Sequence, residues 1–118
     1  VYTGMYCFSN HQMQVVKAQD AVSLEELIKE LNQMGRPVIF LGDAVQVYKE
    51  LIQETCKVSY SFAPAHLSRQ RAGAVGMLGV HYFKEGKTES AAEHKPEYLR
   101  VSQAERERAE RLKQENHE

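Results

Sequence analysis

A chain of 118 residues, 42% of them apolar, is long enough for one compact domain with a single modest core. Its 15 basic and 16 acidic side chains leave a net charge of −1, which excludes an overall field that would draw the whole chain to DNA or to a membrane surface. Its apolar runs are broken by charge or glycine well before the roughly 20 residues a bilayer span requires.

Cys7 and Cys56 lie far apart and in no CxxC or CxxH arrangement, so neither a disulfide framework nor a metal cluster is expected. No charged-then-apolar leader precedes them, and a reducing, cytoplasmic setting is the expectation. The first residue is Val1, and VYTGMYCF already has the β-branched and aromatic composition of a strand with no turn in front of it. The chain therefore reads as a piece of a longer protein.

In chain order, VYTGMYCF and MQVVKA are two strand-like runs separated by the polar SNHQ, which predicts an antiparallel hairpin. VSLEELIKELNQMGRP predicts a helix. Ser23 is its N-cap with Glu26 three residues on, Leu24, Leu27, Ile28, Leu31 and Met34 recur at helical spacing, and Gly35 and Pro37 end it. VIFL, at 38–41, is a continuous apolar run between Pro37 and Gly42 and predicts a central strand covered on both faces. Val45, Tyr48, Leu51 and Ile52 mark a second helix, and Val58, Tyr60 and Phe62 alternate as a strand should. From Pro64 a third helix is expected to run to a stop at Gly86, with Leu67, Val75, Leu78 and Tyr82 on one face. Ala72, Gly73, Ala74, Gly76 and Gly79 crowd its middle. An interior glycine costs about 1 kcal/mol against alanine, so this density predicts close approach to a sheet or another helix. A hairpin followed by alternating helices and strands gives an α/β fold, a mixed sheet with helices packed on it.

The sequence offers little chemistry. FLGDA has the form of strand, glycine turn and helix, the geometry that presents backbone N–H groups to a phosphate, and makes Gly42 and Asp43 candidates for a nucleotide loop. The turn carries one glycine, no lysine and no Walker-type hydroxyl, and Asp43 repels an anion; Asp43 equally fits an N-cap. His11, His66, His81, His94 and His117 include no i, i+4 pair and no HExxH. No serine stands in a GxSxG setting. No catalytic residue, metal or cofactor is expected. His66, Arg69 and Arg71 place positive charge near a helix start, which suits either a bound anion such as RNA phosphate or a solvated face. The tail pairs Glu107 with Arg111 and Arg106 with Glu110 at i, i+4 behind a Ser102–Glu105 capping box, and reads as a solvated helix or one docked on a partner. Between Pro96 and that tail stands an apolar pair, Tyr98-Leu99, followed by Arg100.

Three segments, APAHLSRQRAGAVGMLG, the EGK after it and above all KPEYLRVSQAERE, resemble the C-terminal half of the bacterial TsaB proteins, also called YeaZ. These are non-catalytic relatives of TsaD, which completes the threonylcarbamoyladenosine modification of tRNA. The resemblance implies an actin-like, RNase H-like subdomain over residues 1–101 that lacks its first strand and the N-terminal subdomain, with 102–118 a charged helical tail. It implies a scaffold or activator without chemistry of its own, with TsaD and TsaE as partners and tRNA reached through that complex. Apolar surface left bare by the absent half is expected to let copies pair as a homodimer. TsaD's metal-binding histidine pair belongs to that absent half. The alternative is a nucleotide-binding enzyme of the actin-like superfamily, ATP-dependent or protease-like, in which Gly42 and Asp43 line a cleft that the other half completes. Tyr98, Leu99 and Arg100 are the interface residues the resemblance points to: the last segment crosses back to the first subdomain, Tyr98 and Leu99 grip, and Arg100 meets a carboxylate or carbonyl.

Overall fold

The structure, a computed structural model, describes residues 1–115. Its elements are β1 (Tyr2–Ser9), β2 (Gln12–Ala21), α1 (Leu24–Met34), β3 (Val38–Phe40), α2 (Ala44–Thr55), β4 (Tyr60–Phe62), a 3-10 turn (Ala65–Leu67), α3 (Ala72–Lys84) and α4 (Gln103–Glu115). They fall into two compact units, one of Val1 with residues 22–94 and one of residues 2–21 with the segment from Lys95 onward. The architecture is mixed α/β.

The first unit holds the core. Ser23 Oγ accepts from the Glu26 N–H at 3.2 Å and the Glu26 carboxylate accepts from the Ser23 N–H at 3.4 Å, which closes the expected capping box. At the other end Gly35 takes the left-handed φ of 65° and its N–H reaches the Leu31 carbonyl, as the sequence predicts. Between these caps Leu24, Leu27, Ile28 and Leu31 form one buried stripe, joined by Ile52 of α2 and Phe40 of β3. Burying each such side chain contributes about 1.5–3 kcal/mol. β3 and β4 run parallel, with Val38 opposite Tyr60, Ile39 opposite Ser61 and Phe40 opposite Phe62. Phe40, Tyr60 and Phe62 pack as an aromatic cluster with centroids 5.6 to 6.2 Å apart. Asn32 ties the helices together: its Nδ2 donates to the Thr55 carbonyl at 3.0 Å and its Oδ1 accepts from the Lys57 N–H at 2.7 Å.

In the second unit the predicted hairpin forms. Asn10 and His11 both adopt positive φ, 51° and 60°, the two-residue turn whose twist matches the flanking strands. The register runs from Ser9 opposite Gln12 to Tyr2 opposite Ala21 and is irregular between Thr3 and Tyr6. At Gly4 a Cβ would lie 2.6 Å from the Tyr6 hydroxyl, so a side chain there requires the exposed Tyr6 ring to swing aside.

Four expectations are corrected. Among the described residues the strands make two separate two-stranded sheets, β1–β2 and β3–β4, and not one mixed sheet; apolar runs identify strands but do not say which edges share a register. VIFL is not covered on both faces: Phe40 is buried, but Ile39 is 67% exposed, because the pleat sends alternate residues to opposite sides and only one side of this pair is packed. Pro64 opens only the 3-10 turn, since Arg71 is extended at φ −128° and ψ 113° and α3 starts afresh at Ala72. The glycines of α3 make no close approach, because a Cβ at Gly73, Gly76 or Gly79 would meet no atom within 4 Å. No helix among the described residues is long and apolar enough to cross a membrane. Of the tail over 102–118, residues 116–118 lie outside the described residues.

Candidate functional site

The glycine turn lies in the first unit, where β3 ends and α2 begins. Gly42 adopts φ 120°, a conformation that suits glycine. Asp43 Oδ1 accepts from the Ala44 N–H at 2.9 Å, so the carboxylate serves the start of α2. The Gly42 N–H donates to Ser68 Oγ at 3.3 Å, and the Ser68 hydroxyl donates back to the Gly42 carbonyl at 3.3 Å. One hydroxyl thus occupies both polar groups of the glycine, and the N–H a phosphate would use is already engaged. Sequence reasoning missed Ser68. No motif marks it, and only the return of the chain after β4 carries it to a glycine 26 positions earlier. His66, Arg69 and Arg71 are all exposed.

Among the described residues the histidines do not converge. No group of three or more His, Cys, Asp or Glu side chains placed to hold a metal occurs among the described residues. His81 sits at the end of α3, its Nε2 3.3 Å from Glu85 Oε1, while Lys87 Nζ reaches Glu85 Oε2 at 2.7 Å and lies 5.2 Å from the Tyr82 ring centroid. The hydrogen bond from Lys87 holds the Glu85 carboxyl below its ordinary range, and the same bond raises Lys87. His94 pairs with Glu89 at 2.5 Å, also in solvent. His117 lies outside the described residues.

The second unit carries the apolar hook. Tyr98 is 83% exposed, Leu99 half-buried and Arg100 exposed. The segment is tied to β2 before it and runs into a capped helix after it. Before it, Gln19 Nε2 of β2 donates to Glu97 Oε2 at 2.7 Å. After it, Glu105 accepts from the Ser102 hydroxyl at 2.8 Å and from the Ser102 N–H at 3.0 Å, while the Glu105 N–H donates to Ser102 Oγ at 3.3 Å. The Ser102 hydroxyl, and then its N–H, hold the Glu105 carboxyl below its ordinary range. An aromatic ring with a phenol donor and a guanidinium are thus presented to solvent on either side of a half-buried leucine. Tyrosine and arginine are the types that dominate binding at protein interfaces.

No family model and no solved structure matches the chain. Among curated proteins, tRNA threonylcarbamoyladenosine biosynthesis protein TsaB of Bacillus subtilis (strain 168) is 29% identical over 105 residues, which is 89% of this chain and 44% of that relative. The chain therefore spans less than half the length of the relative it matches. The resemblance read from the residues is borne out: over nearly its whole length this chain is similar to a bacterial TsaB protein.

Proposed function

We propose that the chain is one lobe of an actin-like, two-lobed protein that takes part in threonylcarbamoyladenosine formation on tRNA as a non-catalytic scaffold or activator, binding TsaD and TsaE. The match to TsaB along 89% of the chain carries this reading. Two features agree with it. The hook of Tyr98, Leu99 and Arg100 offers a contact surface without any reactive group, and the one candidate phosphate loop has its N–H bonded to Ser68. The two-stranded sheets, each with open edges, suit an actin-like lobe whose remaining strand is supplied by the rest of the protein.

The test is co-purification of the protein that carries this chain with TsaD and TsaE, followed by tRNA modification assays with and without it. Co-purification and a strong loss of modified tRNA in its absence are expected. Undiminished modification without it overturns the reading. Micromolar ATP or ADP binding that disappears in Asp43→Ala would replace it with the nucleotide-binding alternative.

A further inference from the structure

The 16 acidic side chains are unevenly spread along the chain. None falls between Glu54 and Glu85, a stretch that carries Lys57, His66, Arg69, Arg71, His81 and Lys84. A chain of net charge −1 thus contains a long segment of one sign.

The fold brings the middle of that segment to one end of the β3–β4 pair. The two parallel strands stop together, and just past β4 the Ala63 N–H donates to the Phe40 carbonyl at 2.9 Å. His66 lies in the 3-10 turn that follows. Ser68, bonded to both polar groups of Gly42, then holds the chain against the end of β3. Arg69 comes next, and Arg71, extended at φ −128°, precedes α3. Lys49 of α2 reaches the same end, its Nζ 5.5 Å from the ring centroid of Phe62, the last residue of β4. Ligands of parallel sheets bind outside the carboxyl ends of the strands, and this is that end.

Lys49, His66, Arg69 and Arg71 are exposed, and none makes an ion pair among the described residues. The neighbouring Asp43 has its Oδ1 on the Ala44 N–H. The arrangement also selects a ligand. Ser68 occupies the Gly42 N–H that would cradle the phosphate of a mononucleotide. Exposed cations hold a single anion weakly, but their contributions add along a chain of regularly spaced phosphates, because each contact releases a counterion. An extended phosphate backbone fits this surface better than a small anion does.

We propose that Lys49, His66, Arg69 and Arg71 form a surface that contacts the phosphate backbone of tRNA directly. The choice of tRNA rests on the role proposed above, whereas the phosphate chemistry rests on the surface itself.

The test is fluorescence anisotropy of labelled, unmodified tRNA with the protein that carries this chain, without TsaD or TsaE, from about 50 to 200 mM salt. Salt-dependent binding is expected. Arg69→Gln with Arg71→Gln is expected to weaken it about tenfold at the low-salt end and to lower the slope of log K against log salt by about 1.5–2. Both arginines are exposed, so the urea midpoint stays unchanged. Arg108→Gln with Arg111→Gln, on α4 where arginines alternate with glutamates, keeps the native binding. No binding, an unchanged slope, or equal losses in the two double variants overturns the proposal. Equal affinity for polyglutamate also overturns it and assigns the surface to an acidic protein. The Arg69 and Arg71 variant is expected to co-purify with TsaD and TsaE as the native protein does, which keeps a failure here distinct from a failure of the proposed role; lost co-purification with native tRNA binding makes these arginines partner contacts and overturns the proposal.

Discussion

At the residue scale, two side chains hold segments that the sequence keeps far apart. Asn32 bonds Thr55 and Lys57, and Ser68 bonds Gly42. Neither was legible beforehand: an asparagine on a helix and a serine in a loop look like ordinary polar surface until the partner backbone arrives. Removing Asn32 strands the partly shielded Thr55 carbonyl and breaks a short bond from the exposed Lys57 N–H, so Asn32→Ala is expected to destabilise the chain by about 1–3 kcal/mol. Ser68→Ala, which loses two longer bonds of 3.3 Å each at a partly buried site, is expected to cost about 0.5–1.5 kcal/mol. Urea denaturation of both variants checks the order. The glycine turn itself was legible as a turn, whereas its engagement by Ser68 was not.

At the scale of elements, α1 shows how far local rules reach. Its N-cap, its apolar period and its left-handed glycine stop all act within a few residues, so sequence and structure agree at both ends. α4 shares that capping logic with almost no apolar face, and its stability depends more on charge. The Glu105 carboxyl titrates below its ordinary range in the folded state, so the stabilisation it gives is present above the unfolded value and is lost as the pH falls through the folded one. Helicity of α4, followed by circular dichroism, is therefore expected to fall on acidification below the ordinary carboxylate range. Glu105→Gln should remove that part of the pH dependence. α3 is the element where local rules misled. Its glycines pointed to a close neighbour, and the structure leaves those positions bare.

At the scale of the molecule, a small core coexists with much exposed apolar surface. Leu24, Leu27, Ile28, Leu31, Phe40 and Ile52 are the buried apolar side chains among the described residues. Ile28, 2% exposed, is central, and Ile28→Ala is expected to cost about 2–5 kcal/mol by leaving a cavity, visible as a lowered denaturation midpoint. Tyr98 behaves oppositely. Being 83% exposed, it contributes little to the folding of these residues, so Tyr98→Ala is expected to leave their midpoint within about 0.5 kcal/mol, as suits a hook proposed to grip the first subdomain of a longer protein. A matching loss of stability would make Tyr98 a folding residue and remove the hook from the proposed interface.

The amino-acid order by itself determined α1, α2, the hairpin and the α/β class, because capping, turn formation and apolar period are decided by neighbours within about four residues. It also marked Tyr98-Leu99-Arg100 as an apolar pair beside a cation. Tertiary structure alone decided that β1–β2 and β3–β4 are separate sheets, that Ile39 faces water, and that Ser68 closes the Gly42 turn. Those outcomes depend on which distant edges and faces meet. A strand's period of two is the same whichever partner it finds, so the pattern along the chain carries no record of that choice.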